Sequence, residues 1–204
     1  MPRSYSNQSR RAAAERTRGR IVAAARRILR SRRGISEFTI DAVAREAKVA
    51  RMTVYNAFRS KSRLLEAIFD DIARSGLPEV FPSSGNDAFE AIDSCLAAFA
   101  HFWESERLSI RRLRALAVLD REIGAAIAER ENRRWEVTLE LAARLVEERG
   151  AAIPRDRIDH FHIAASFECY DRLRIMGRTA EEAAQEIRSL CHRALGICGS
   201  KGCR

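Results

Sequence analysis

"FTIDAVAREAKVARMTVYNAFRSKSRLLEAI", Phe38–Ile68, contains three short helical segments of different character. The first opens at Thr39, whose hydroxyl can accept from the free amides of the next turn, and Asp41 complements the helix dipole there. Ile40, Val43, Ala44 and Ala47 give it one apolar face before Lys48 and Val49 turn the chain. A second helix is predicted over about Ala50–Phe58, with Val54 and Phe58 as its buried i, i+4 pair. Ser60 then caps a third, on which Leu64, Leu65, Ile68 and Ile72 form a stripe that ends near Gly76 and Pro78.

With Val54 and Phe58 turned inwards, Arg51, Met52, Thr53, Tyr55 and Asn56 are left facing outwards. Their chemistry suits the major groove. Arginine can bond a guanine edge bidentately and asparagine an adenine edge, and the methyl groups of Thr53 and Met52 can meet a thymine methyl. Hydroxyls and ammonium groups suit phosphates, and such contacts set register rather than sequence. Lys61 falls in the first turn of the following helix, where free amides already favour an anion. Upstream, a helix is predicted from about Glu15, with Ile21, Ala25, Ile28 and Leu29 on one face and Gly34 as its stop. Two short helices joined by a tight turn and bracketed by longer ones make a helix-turn-helix: the first crosses the DNA backbone, the second enters the groove.

The same stretch resembles the DNA-binding domain of the TetR family of bacterial transcriptional regulators, over about Arg20–Ala73. The threonine opening the first short helix, the V-x-R-x-T-V-Y-x-x-F run and the S-K that follows carry the likeness. The resemblance implies phosphate contacts at Thr39, Tyr55 and Lys61, and base contacts at or near Arg51, Met52, Thr53 and Asn56. Similar proteins often hold a glycine at Lys48 and a Ser or Thr cap at Ala50. A left-handed Lys48 and an uncapped Ala50 would each cost about 1 kcal/mol, and Lys48 could recover some of this on a phosphate.

Charge divides the chain unevenly. Met1–Ser75 carries 18 Arg/Lys against 7 Asp/Glu, and the remainder 19 against 21. The formal net charge of +9 therefore belongs to the first third, and only that part calls for a polyanionic partner. Eleven arginines and a single acid, Glu15, in the first 34 residues also fit an organelle transit peptide, but this stretch runs into a helix that the next segment needs. The longest uncharged run, Ser94–Trp103, is too short for a membrane span. Five cysteines without framework spacing suit a reduced, cytoplasmic chain.

The domain expectation is a basic flexible arm over 1–14, a helix-turn-helix domain over 15–75, a helical effector-binding and dimerisation domain over 76–198, and a tail over 199–204. In that second domain helices are predicted over Asp87–Trp103, Arg107–Leu119, Glu122–Arg149 (with a break or kink near Glu131) and about Arg155–Met176. A last helix is announced by Gly177 and by Thr179 with Glu182, a capping box. The resemblance implies that the final two long helices pair with their symmetry mates, through Phe161, Ile187, Leu190, Cys191 and Ala194. It also implies a small-molecule effector, for which Phe99, Trp103, Trp135, His162, Phe167 and Tyr170 offer the aromatic and polar lining such pockets use.

No cofactor or metal is expected. Cys191, His192, Cys198 and Cys203 match no tight zinc spacing, and a Cys198–Cys203 disulfide is the lesser alternative to a frayed tail. No Ser/His/Asp set, P-loop or glycine-rich fingerprint points to an enzyme. The expected fold is all-α, and the expected partners are double-stranded DNA, a second copy of the chain and a small effector. The alternative is a sequence-indifferent basic nucleic-acid binder, which needs charge but not the base-edge donors of Arg51 and Asn56.

Overall fold

The computed structural model describes residues 3–31, 38–76 and 87–197, and among them it is all-α with no strand. The helices are α1 (Arg3–Arg30), α2 (Ile40–Ala47), α3 (Arg51–Phe58), α4 (Lys61–Gly76), α5 (Ala88–Ala117), α6 (Arg121–Arg149), α7 (Arg155–Ala164), α8 (Phe167–Ile175) and α9 (Ala180–Leu195). They fall into two compact units, Met1–Arg74 with Leu108–Ile127, and Ser75–Arg107 with Ala128–Arg204. The long helices α5 and α6 contribute residues to both.

In the first unit α1 packs on α2 and α2 on α3. Ile21, Ala24, Ala25, Leu29, Val43, Val54, Leu64, Leu65 and Ile68 are sealed from solvent, and Phe38, Phe58 and Ile72 nearly so. Full burial of each large aliphatic here contributes roughly 1.5–3 kcal/mol. Leu113 of α5 and Ile123 of α6 are buried with this unit. Polar ties hold the same parts together. Arg112 of α5 donates to the carbonyls of Leu29 and of Ser31 (2.8 Å to the latter), so a cation closes the C-terminal end of α1. The Asp120 carboxylate accepts from the Ser62 hydroxyl at 2.9 Å and from the amides of Glu122 and Ile123 that open α6.

The second unit is built on α9, against which both α7 and α8 pack. Ala183, Ile187, Cys191 and Leu195 form the inner face of α9. Thr179 Oγ1 accepts from the Glu182 amide at 3.1 Å and Glu182 returns a 2.8 Å bond to the Thr179 amide, which is the capping box the sequence announced. Gly196 closes the helix in the left-handed region (φ 67), where a Cβ would be strained.

Three boundaries differ from the sequence reading. The helix expected from about Glu15 begins at Arg3, because Arg, Ala and Glu propagate a helix and nothing in the stretch stops one. Asp87–Trp103 and Arg107–Leu119, expected as two helices, are one: Glu104, Ser105 and Glu106 are polar but not breakers, and the Ser105 hydroxyl bonds back to the Phe102 carbonyl at 2.9 Å. Conversely, the helix expected over Arg155–Met176 divides at Ala165 and Ser166. Ser166 caps α8 through the Cys169 amide (3.2 Å), and Arg134 takes the carbonyls of His162 and Ala165 at 2.7 and 3.3 Å. α6 runs from Arg121 to Arg149 without interruption, and Glu131 pairs with Arg134 within it. The predicted stop at Gly34 and the cysteines Cys198 and Cys203 lie outside the described residues.

Candidate nucleic-acid interface

Thr39 has the extended backbone of an N-cap, and its hydroxyl accepts from the Ala42 amide at 3.1 Å. Lys48 closes α2 in the left-handed region (φ 54, ψ 49), its amide returning to Ala44 and Arg45. The turn is thus made by a residue with a Cβ at a cost of about 1 kcal/mol, and the chain needs only Lys48, Val49 and Ala50 to reach α3. Ala50 has the right backbone for a cap but no side chain to supply the bond. Ser60 caps α4 by accepting from the Arg63 amide at 3.1 Å.

On α3, Val54 and Phe58 point into the core, whereas Arg51, Met52 and Asn56 are exposed and Thr53 and Tyr55 half-buried. Met52 is 64% exposed, a high value for an apolar side chain that packing within the chain does not account for. Thr39 and Lys61, at the two ends of the motif, and Lys48, in its turn, are exposed as well. The Lys61 ammonium stands 5.4 Å over the Phe38 ring, and together with three hydrogen bonds it bears on Asp120. Partial desolvation pushes that carboxyl up, but the bonds from Ser62, Ile123 and Glu122 and the Lys61 charge outweigh it and hold the pKa below the usual range.

Arg51 is not an idle cation. Its guanidinium donates to Asp41 Oδ2 at 3.2 Å and to the Tyr55 hydroxyl at 3.3 Å, and it leans over the Tyr55 ring. The Tyr55 hydrogen bond and the Asp41 charge raise its pKa further. Sequence reasoning treated Asp41 only as a dipole partner. The i, i+4 spacing of Arg51 and Tyr55 could have suggested their pairing, but the Asp41 contact depends on how α2 crosses α3.

Other cations of the basic third are likewise engaged within the fold. Arg26 meets Asp71 at 2.7 Å and Arg27 meets Glu46 at 2.7 Å. The arginine excess read as an electrostatic footprint therefore includes side chains committed to packing, and the number available to a polyanion is smaller than the sequence suggests.

In the second unit, five of the six effector-pocket candidates gather in two groups. Phe99 stacks on Trp103 (5.2 Å between centroids), and Trp103 meets Tyr170 at 5.9 Å. The Tyr170 hydroxyl donates to Glu104 at 2.8 Å, and Arg174 grips both oxygens of that carboxylate. Burial first, then Glu104, raises the Tyr170 pKa. Glu104 is pushed up by desolvation, but the bonds from Tyr170 and Arg174 and the charges of Arg174 and Arg107 bring it below the ordinary carboxylate value. Phe167 is buried in the same unit.

The second group joins Trp135 edge-on to His162 at 4.8 Å. Arg134 can only donate, so His162 Nε2, at 2.9 Å from it, must accept. Nδ1 then carries the proton and donates to Thr138 Oγ1 at 3.0 Å, and Thr138 donates onward to the Arg134 carbonyl. Burial and the Arg134 charge lower the His162 pKa to about 4.

Of the five residues named for a dimer face, Phe161, Ile187 and Cys191 are almost fully buried within the single chain, while Leu190 and Ala194 keep partial exposure. Ile163, Ile175 and Met176, which the interface expectation did not name, are each more than half exposed. Burial lifts the Cys95 thiol to about 12 and raises Cys169 and Cys191 too, so none is primed as a thiolate. Among the described residues no three His, Cys, Asp or Glu side chains gather as a metal site, and no helix is long and apolar enough to cross a membrane.

Residues 21–68 match the model of a family described as bacterial regulatory proteins, tetR family. No curated protein matches the chain. Among solved structures, a TetR-like transcriptional regulator from Rhodococcus sp. RHA1 superposes with a TM-score of 0.66 at 21% identity, over 88% of this chain and 96% of that one. At such identity the likeness is one of fold.

Proposed function

We propose, from the match of residues 21–68 to the tetR family of bacterial regulatory proteins, that the chain is a dimeric, sequence-specific repressor of that family that leaves a palindromic operator when a small molecule binds. The observation that carries the reading is the exposure of Arg51, Met52 and Asn56 on α3 while Val54 and Phe58 of the same helix are buried. A helix that spends its apolar pair on the core and presents a base-edge donor set is arranged for a groove. Thr39, Lys48, Tyr55 and Lys61 take the phosphates, and Arg51, Met52, Thr53 and Asn56 the bases. Arg51 must exchange Asp41 and Tyr55 for a guanine edge as it docks.

Residues 1–14 serve as a basic arm, 15–75 as the reading domain, 76–198 as the effector-binding and dimerising domain, and 199–204 as a tail. Dimerisation draws on the exposed Ile163, Ile175 and Met176 with Leu190 and Ala194, and a two-fold pair would set the recognition helices about 34–36 Å apart. The effector enters among Phe99, Trp103, Phe167 and Tyr170, or beside Trp135 and His162. The protein acts in the cytoplasm, without catalysis or cofactor.

Selection of bound duplexes from a random library at about 150 mM salt, where non-specific phosphate binding is already weakened, tests this reading. An enriched inverted repeat is the expected result. Binding that fades with salt and enriches nothing would leave a sequence-indifferent basic binder and remove the roles given to Arg51 and Asn56.

A further inference from the structure

α3 is short of support from its own sequence. It has eight residues, no side-chain bond at its N-cap Ala50, no acid in its first turn and no base in its last. A helix of this length does not persist alone in water, so its orientation is set by what other elements do to it. Its C-terminal end is also bent into a costly shape. Arg59, not a glycine, sits at φ 63, with its amide returned to the Tyr55 carbonyl and the Ser60 amide to that of Phe58, each at 2.7 Å.

The Ala57 carbonyl is met from another helix. Arg18 of α1, thirty-nine positions earlier, donates Nη1 to it at 2.7 Å, and the guanidinium lies 4.2 Å above the ring of Phe58. Phe58 is 3% exposed, so the cation rests on a ring that is itself fixed in the core. One side chain thereby satisfies a terminal acceptor, places positive charge at the negative end of the dipole and clamps the residue that anchors α3. Arginine fits this place better than lysine, because the planar fork can donate at its edge while its face covers the ring.

We propose that Arg18 is a positioning residue for base reading: it acts through Ala57 and Phe58 to fix the angle at which α3 presents Arg51, Thr53 and Asn56. This rests on the sequence-specific reading above. It separates Arg18 from the general basicity of α1. A phosphate contact would add equal affinity for every duplex and steepen the salt dependence, whereas a positioning contact supports only the correct sequence.

The test compares the full-length protein with Arg18→Met, which keeps a long stem on Phe58 but loses the charge and the fork, and Arg18→Lys, which keeps charge and one donor. Each is titrated with the duplex enriched by the wild type and with a scrambled duplex of equal length, across a salt series. Arg18→Met is expected to lower the affinity ratio of the two duplexes about tenfold or more, with scrambled-duplex affinity and its salt slope unchanged. Arg18→Lys is expected to lie between. Amide exchange at Arg59, whose bond reports the C-terminal turn of α3, is expected to quicken in Arg18→Met before DNA is added.

An unchanged ratio overturns the proposal, as does equal weakening on both duplexes with a shallower salt slope. Should Arg18→Met fail to fold, a wild-type ratio in Arg18→Lys overturns it equally. Failure of the underlying reading is distinguishable, because then the wild type itself prefers neither duplex, and this proposal falls with it.

Discussion

α3 of the first unit and α9 of the second are both helices seated by a buried apolar face, yet they are made in opposite ways. α9 has sixteen residues, a reciprocal capping box at Thr179 and Glu182, acids in its first turn, His192 and Arg193 in its last, and a glycine to end it. α3 has eight residues, an alanine where a cap would stand, and a non-glycine at positive φ at its end. The capping and apolar periodicity of α9 suffice to specify it, whereas α3 is held by Phe58 in the core and by Arg18 from α1. The contrast teaches where local signals are dispensed with. The exposed positions of α3 hold Arg51, Met52 and Asn56 and its N-cap holds an alanine, so its stability is supplied from other helices.

That contrast can be broken first at the seat of α9. Phe161 is 2% exposed on α7, the helix packed against it, and Phe161→Ala is expected to lower unfolding stability by about 3–5 kcal/mol in chemical denaturation. A loss well under 1 kcal/mol would mean that α9 does not depend on this packing. Asn56→Ala tests the other helix. The side chain is exposed, so the denaturation midpoint should hold while discrimination at one base position of the selected duplex drops by about 1–3 kcal/mol.

Cap exchange then sharpens the comparison from both sides. Thr179→Ala should cost about 1 kcal/mol, and Ala50→Ser, placed on a backbone already shaped for a cap (φ −68, ψ 149), should return something under about 1 kcal/mol. Equal losses on both substitutions would show that α3 has no vacancy to fill.

The smallest effect at neutral pH, because it is absent there, concerns His162. Unfolded, its imidazole titrates near 6.5; folded, burial and Arg134 hold it to about 4. Between those values the unfolded chain binds more protons, so stability should fall as pH drops from about 6.5 to about 4 and stay level above. Comparing denaturation midpoints across that window, His162→Gln should show a shallower slope than the wild type.

Arginine shows how the two levels of description diverge. The chain's 34 arginines look from the sequence like a polyanion's partner concentrated at one end. In the structure the same residue type closes helices across the fold. Arg112 does so for α1, Arg18 for α3, Arg134 for α7, and Arg149 reaches the Gly196 carbonyl after α9 at 3.2 Å. Each of these bonds joins residues 28 or more positions apart, so no local pattern marks them. Other features were open to reading but missed. Ser166 followed by Phe167 and Glu168 is an N-cap signal, which the apolar run on either side concealed. Nothing local announced that Phe161, Ile187 and Cys191 would be buried within one chain, because periodicity shows that a face is apolar but not what covers it.

The sequence by itself determined the all-α class, the helix-turn-helix between Thr39 and Phe58 and the capping box of α9. All of these follow from interactions within about four residues, where spacing and side-chain type are enough. Tertiary structure decided which arginines are spent inside the fold, that Arg51 rests on Asp41, that His162 is kept neutral by burial and by Arg134, and that α3 keeps its place through Arg18. These are contacts between elements. Their partners are selected by how helices cross, and a linear pattern does not contain that geometry.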